Sequence, residues 1–325
     1  MLPRTSHWTR PLLAAALVLA AVAAQAQAWP AKPIKLVVSY PPGGTLDAVA
    51  RIVATPLSQR LGQPVVVDNR AGAGGAIGGD LVAKSAPDGY TVLLDASNHA
   101  QNPALRSKMP FDTLRDLAPV SLLVKVPNVL VVNPSTSIKT VQDLVAQAKA
   151  KPGEINFASS GNGSAKHLAA EQFSAMAGVR MTHVAYKGGG PALTDVMAGQ
   201  VPVFFGSLAS SLAYIQAGKL RAVAVTGKAR AAVLPQLPTV AEAGLPGYEV
   251  YEWNAVFVPA GTPAAVTERL SKELAAVLQE PEVRQRLEAT GAEVIGSTPA
   301  ELDAFRRAEL VKWSKLAKDN RIQLD

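Results

Sequence analysis

Four stretches of small residues hold the chemistry this chain can offer: Tyr40–Asp47 (YPPGGTLD), Arg70–Gly79 (RAGAGGAIGG), Ser159–Ser164 (SSGNGS) and Tyr186–Pro191 (YKGGGP). Glycine lets a ligand approach the backbone closely. The first turn of a helix presents unpaired N–H groups and a partial positive charge, so a glycine-rich strand-to-helix turn binds carboxylate or phosphate without Arg or Lys. Charge-assisted hydrogen bonds contribute about 1.5–3 kcal/mol each, so three or four suffice for roughly micromolar affinity once association costs are met. Any one stretch alone reads equally well as an ordinary βα turn. Four together point to an anion-binding cleft.

Catalytic patterns are missing. No G-x-S-x-G, H-E-x-x-H or G-x-x-x-x-G-K-[ST] occurs, and Gly72–Gly79 fails G-x-G-x-x-G because Ile77 stands at the third glycine position. His167 and Glu171 are spaced i, i+4, but one pair does not make a closed metal site. No metal and no cofactor is expected.

The elements that must position these turns follow from periodicity. Short β-branched runs at Ile34–Ser39, Val65–Asp68, Thr91–Leu94, Leu130–Asn133, Ile155–Ser159, Thr182–Ala185, Val203–Phe205 and Ala222–Thr226 read as strands. Helical patterns lie between most of them, at Leu46–Leu57, Val141–Ala150, Lys166–Ala177, Ala192–Ala198 and Leu208–Ala217, with Pro56 expected to kink or shorten the first. Strands alternating with helices give α/β architecture with mostly parallel sheets, whose ligands sit at the carboxyl ends of the strands. All four stretches belong at that edge, two in each half of the fold. The C-terminal third reads as one long strand, Val250–Val258, then helices from Pro263, Pro281 and Pro299. Thr262 and Thr298 stand as caps, and Glu301 completes a capping box. No repeat and no Gly/Ser or Pro linker divides the chain, so two domains must be joined by more than one crossing, expected near Val124–Asn128 and Ala231–Tyr251.

The chain has 325 residues, no Cys, 18% charged residues and a formal charge of +7. Zero Cys excludes a disulfide scaffold, thiolate metal sites, a thiol nucleophile and a lipoprotein anchor. Arg4, His7 and Arg10, the apolar run Leu12–Ala24 and two small-x-small sites have the layout of a secretory signal peptide, with cleavage near Ala26 or Ala28. The leader carries two basic residues and no acid, leaving 7 − 2 = +5 on the mature chain. That charge is dispersed, so no nucleic-acid partner is expected. The mature protein is expected to be an exported, unanchored monomer in the periplasm.

The segments WPAKPIKLVVSYPPGGTLD, GQPVVVDNRAGAGGAIG, SSGNGSAKHLAAEQF, YKGGGPALTDVMAGQV, AGKLRAVAVT, LPTVAEAGLPGYE and VPAGTP, in this order and spacing, resemble the Bug-type (TctC-type) extracytoplasmic solute receptors of tripartite tricarboxylate transporters. The resemblance covers essentially the whole mature chain. It implies a two-lobed Venus-flytrap periplasmic binding protein fold (type II-like), with 29–126 plus 232–325 as lobe 1 and 127–231 as lobe 2. It implies a small mono- or dicarboxylate held between the lobes and delivered to the integral membrane permease subunits of such a transporter. Carried over residue by residue, the first-lobe contacts are Pro42, Gly43, Gly44, Thr45 and Asp47 with Ala76 and Ile77. Asp47 carries the wrong charge for a direct contact and more plausibly caps a helix or holds a water. The second lobe supplies Ser160, Asn162, Ser164 and His167, with Tyr186 and Lys187 closing and Lys187 a candidate counter-charge. Ser97, Asn98 and His99 also fall at the cleft edge.

Where many relatives carry an acid after the VFF strand, this chain has Gly206 followed by Ser207. That speaks against an amino-acid ligand, whose ammonium wants an acidic partner. Trp253 either stacks on the ligand or packs between lobes, the second being the commoner fate of a buried Trp. Two other uses of the fold stay open on residues alone: a sensor presenting the bound carboxylate to a signalling partner, and an enzyme acting in the same cleft.

Overall fold

The computed structural model describes residues 29–320 and 322–324, so the expected leader over 1–28 lies outside the described residues. Three strands, Ile34–Val38 (β1), Val65–Asn69 (β2) and Thr91–Ala96 (β3), pair in parallel in the order β2-β1-β3. Helices Thr45–Leu61 (α1), Ala76–Ala83 (α2) and Asn98–Leu105 (α3) follow them in turn. The α1 helix buries Leu46, Val49, Ala50, Val53 and Leu57, the stripe that its periodicity predicts. It is not shortened at Pro56 but runs on to Gly62, whose φ of 68° ends it in a left-handed cap.

A second group repeats the plan. Asn156–Ser159 (β5), Thr182–Ala185 (β6) and Val203–Ser207 (β7) pair in parallel in the order β6-β5-β7. Ahead of β5 lies Leu117–Val132 (β4), then the helix Val141–Ala150 (α4). The helices Ala165–Ala177 (α5), Gly189–Met197 (α6) and Leu208–Gln216 (α7) flank the group, and Arg221–Val225 (β8) follows. Thr140 and Asp143 close a reciprocal capping box at the start of α4.

One strand ties the groups together. Over Leu117–Pro127, β4 runs antiparallel to Tyr251–Pro259 (β9), which in turn pairs with β3. Over Asn128–Val132 it pairs with β7 on one side and β8 on the other. The parallel sheets that the βα alternation predicts are therefore both present, each extended by antiparallel strands that the crossings contribute. The return crossing, from β8 to β9, is stitched at Thr226. Its Oγ1 accepts from Asn128 N at 2.7 Å and donates to Val250 O at 2.7 Å, and Val250 N donates to Thr226 O at 2.9 Å.

The chain ends in helices Ala264–Gln279 (α8), Pro281–Glu288 (α9) and Pro299–Asn320 (α10), with the short strand Glu293–Val294 (β10) pairing with β4. Pro263 is itself the N-cap of α8, so the expected Thr262 cap falls one residue early; the Thr262 hydroxyl donates back to Pro259 O instead. The Thr298–Glu301 capping box forms as predicted, with Thr298 N to Glu301 Oε2 at 2.8 Å and Glu301 N to Thr298 Oγ1 at 3.3 Å. One apolar cluster runs unbroken through both groups, from Val37 and Leu93 through Leu122 and Leu130 to Phe157 and Phe205. Trp253 belongs to it: fully buried, edge-on to Phe305, its Nε1 donating to Glu309. Core packing, not ligand stacking, accounts for it.

Candidate functional site

The carboxyl ends of β1, β3 and β5 converge on a cleft of about 580 Å³. Its first wall is the β1–α1 turn, Tyr40–Leu46. The buried Asp47, in the first turn of α1, reaches back to hold it. Oδ2 accepts from Gly43 N at 3.0 Å and from Arg51 Nε at 2.9 Å, and Oδ1 accepts from Asn69 Nδ2 at 3.0 Å. Asn69 Nδ2 also donates to Tyr40 O. The hydrogen bond from Arg51, helped by those from Gly43 and Asn69, holds the Asp47 carboxyl below the usual carboxylate range. Gly43 sits at φ 84°, where a side chain would be strained. The helix start itself is left open: Gly44 is the N-cap and no side chain caps it. Thr45 and Leu46, the first residues of the helix, line the cleft.

The β3–α3 turn forms the adjoining wall with Ala96, Ser97 and Asn98. Asp95, buried behind it, accepts from Ser39 Oγ at 2.6 Å and Ala96 N at 2.9 Å, and lies 3.1 Å from His99 Nδ1. The Tyr40 hydroxyl donates to Asn98 Oδ1 at 2.5 Å, tying the two walls together. Burial, with Asp95 nearby, pushes the Tyr40 phenol well up, so it stays a donor. Again no side chain caps α3. From the glycine-rich turn before α2 only Gly74 reaches the cleft, its carbonyl fixed by Asn102 Nδ2 at 2.8 Å.

The opposite wall is the β5–α5 turn, with Ser160, Asn162 and Ser164. Here the helix is capped by its own chain: Ser164 Oγ accepts from His167 N at 3.3 Å. His167 Nδ1 accepts from Gly163 N at 3.1 Å, and its Nε2 lies 3.4 Å from Glu171. The His167 ring stacks on His183 with centroids 3.9 Å apart, and His183 Nε2 meets Ser159 Oγ at 2.5 Å.

Nine of the sequence-predicted residues therefore line one cleft: Pro42, Gly43, Gly44 and Thr45 on the first wall, Ser97 and Asn98 beside it, and Ser160, Asn162 and Ser164 opposite. Eight others lie off it. Asp47 and His167 stand behind their loops and hold them, as the charge argument anticipates for Asp47. Ala76 is buried in α2, while Ile77 is 54% exposed to bulk solvent. Tyr186 is engaged with Asp195 at 2.7 Å, and Lys187 is exposed. Ser207 is buried at the end of β7 with its hydroxyl unpaired. His99 is likewise buried, stacked on Phe257 at 3.9 Å.

The sequence reading misses Lys166, Glu252 and Asn254, which complete the cleft. Lys166 and Glu252 form an ion pair. The signal was present: Glu252 and Asn254 are polar residues two apart in an otherwise apolar run, hence on one face of a strand. Among the described residues no group of three His, Cys, Asp or Glu is placed to hold a metal, and no helix is long and apolar enough to cross a membrane.

Known proteins are similar to this chain in sequence and in fold. The model of the tripartite tricarboxylate transporter family receptor matches residues 49–322. Protein BugT of Bordetella pertussis is 40% identical over 301 residues, covering 92% of this chain and 92% of its own. R. palustris Rpa4515, solved with adipate, superposes with a TM-score of 0.82 at 38% identity, over 91% of this chain and 99% of its own. MatC from Rhodopseudomonas palustris, solved with bound malate, gives a TM-score of 0.78 at 30% identity, over 89% of this chain and 99% of its own.

Proposed function

Because this chain belongs to the tripartite tricarboxylate transporter receptor family, a family of solute-binding receptors and not of enzymes, we propose that it captures a small organic carboxylate in the cleft and delivers it to the membrane permease of such a transporter. The observation that carries this reading is the pair of uncapped helix starts, α1 and α3, side by side on one wall. Each offers unpaired N–H groups and the positive end of its dipole, and no fixed cation competes for the anion there. The carboxylate docks on these amides, with Ser97 and Asn98 beside them. The β5–α5 turn then closes over it with Ser160, Asn162 and the Ser164 backbone, the chain flexing where β4 and the Thr226 stitch cross between the halves. The lobes are 29–126 plus 232–325 and 127–231. The closed form is what the permease reads, and export through the leader puts it in the periplasm.

Calorimetry of the purified mature protein against a panel of mono- and dicarboxylates tests this. Binding tighter than about millimolar to at least one member is expected. A panel with no such binder, and no carboxylate recovered from the protein as isolated, removes the reading. The proteins Rpa4515 and MatC, solved with adipate and malate, set the first two members to try.

A further inference from the structure

Lys166 and Glu252 are the only charged side chains lining the cleft among the described residues, and they face each other from its two sides. Lys166 is the second residue of α5; Glu252 stands on β9, opposite Val126 of β4. Their side chains are only 17% and 13% exposed.

Lysine is a costly choice at this position. An ammonium at the positive end of a helix opposes the dipole, and the first turn of α5 holds no acid to offset it. Burial adds to the cost and pulls the Lys166 ammonium down to about 8. Glu252 supplies one anion. The start of α5 carries about half a positive charge, and α1 and α3 point their own positive ends at the same space. Glu252 balances Lys166 among the lining side chains, the helix starts add their partial positive charge, and an ammonium has three donors of which one carboxylate need take only one or two. Two residues along the same face of β9, Asn254 is 4% exposed. Its Nδ2 donates to Trp253 O and its Oδ1 has no partner, so the wall beside the ion pair presents a buried polar atom to the cleft.

We propose that Lys166 is the specificity-determining residue by which this cleft recognises a second carboxylate at the far end of its ligand, with Glu252 as the positioning residue that holds the ammonium at the cleft face. The proposal rests on the carboxylate reading above. The first carboxylate sits on the open helix starts of α1 and α3; the second takes the remaining donors of Lys166 from the opposite wall. A ligand with an uncharged far end leaves those donors facing an apolar chain. A ligand with an ammonium there meets Lys166 with like charge.

Adipate and hexanoate, with equal chain length and two or one carboxylates, separate the cases by calorimetry on the mature protein. The wild type is expected to prefer adipate by about tenfold or more, the usual worth of one charge-assisted hydrogen bond. In Lys166→Met the preference should fall to about twofold or less, with hexanoate affinity held within about threefold. Lys166→Gln is the second neutral variant should the Met protein fail to fold, and Lys166→Arg should keep the preference. A preference that survives both neutral replacements, or a loss that is equal for both ligands, overturns the role of Lys166. A wild type that binds hexanoate as well as adipate also overturns it while leaving the carboxylate reading standing. A wild type that binds neither overturns the role of Lys166 as stated, and the carboxylate reading then stands or falls on the wider panel.

Discussion

The β1–α1 and β5–α5 turns are built on one plan with different parts. In each, the third residue of the helix reaches back to a glycine amide in the turn: Asp47 to Gly43, His167 to Gly163. In the first, the back-bonding group is a carboxylate, shielded by Arg51 and Asn69, and the helix start beyond it is left uncapped. In the second it is an imidazole, and Ser164 caps the helix itself. A turn that must receive an anion cannot spend its own side chain on the helix amides. A turn that closes on the far side can. The comparison assigns docking to the first turn and closure to the second, and each assignment can be broken separately.

The largest effect is expected from Gly44→Val. A Cβ at Gly44 meets nothing closer than Pro41 O at 3.8 Å, and φ there is −86°, so the fold accommodates it. The branched side chain nevertheless covers the open amides. Carboxylate affinity should drop by about 100-fold or more, while the melting temperature moves by only about 2 °C. Normal affinity in this variant would mean that the anion sits elsewhere and that the comparison is drawn between the wrong turns.

Next comes stability. Asp47→Ala removes the acceptor of Gly43 N–H and one of the two acceptors of Asn69 Nδ2, which keeps Tyr40 O, whereas Arg51, half exposed, turns to water. Urea unfolding should show a loss of about 1.5–3 kcal/mol. His167→Gln keeps an acceptor within reach of Gly163 and should cost about 1 kcal/mol. Equal losses would show that a carboxylate adds nothing over an imidazole in this device.

Acid separates the turns further. Burial, with the neighbouring His167, lowers His183 from 6.5 to about 4. The folded state resists a proton that the unfolded state accepts, so this contribution to stability is intact above pH 6.5 and is lost progressively as the pH falls towards 4. The ring is only half buried, so about 1 kcal/mol is the expected scale after solvent screening. Asp47 has the opposite ordering: its folded value lies below 3.8, so its contribution is complete above that pH and is lost only beneath it. A pH series of melting temperatures should show the second turn weakening first. His183→Gln should flatten the slope between pH 6.5 and 4, and an unchanged slope would place the acid sensitivity outside this turn.

These turns also show what was legible. Helix α4 and strand β6 have the bounds that periodicity gives, because local pattern and tertiary packing agree there, and the structure adds a Thr140–Asp143 box at the start of α4. Strand β4 was seen only in its last residues. Two prolines lie inside it, Pro119 at an irregularity in the β9 pairing and Pro127 where pairing passes from β9 to β7 and β8, the places where a strand tolerates a missing N–H. The nine lining residues were found because a strand-to-helix turn is a local pattern. Glu252 carries only the faint local signal of a polar strand face, and its meeting with Lys166 joins segments 252 − 166 = 86 residues apart that no window of sequence contains.

The smallest effect is expected at Lys187, and it sharpens the comparison most. The resemblance offers this lysine as a counter-charge, but its side chain is exposed in the β6–α6 turn, off the cleft, beside a Tyr186 whose hydroxyl is already given to Asp195. At physiological salt an exposed charge is screened over about 8 Å. Lys187→Ala should therefore change carboxylate affinity by less than about twofold, with no change in its salt dependence. Lys166→Met, by contrast, removes a desolvated charge inside the cleft. A tenfold loss in Lys187→Ala would bring the β6–α6 turn down onto the ligand. The second lobe would then be a two-turn wall like the first, and closure alone would no longer describe it.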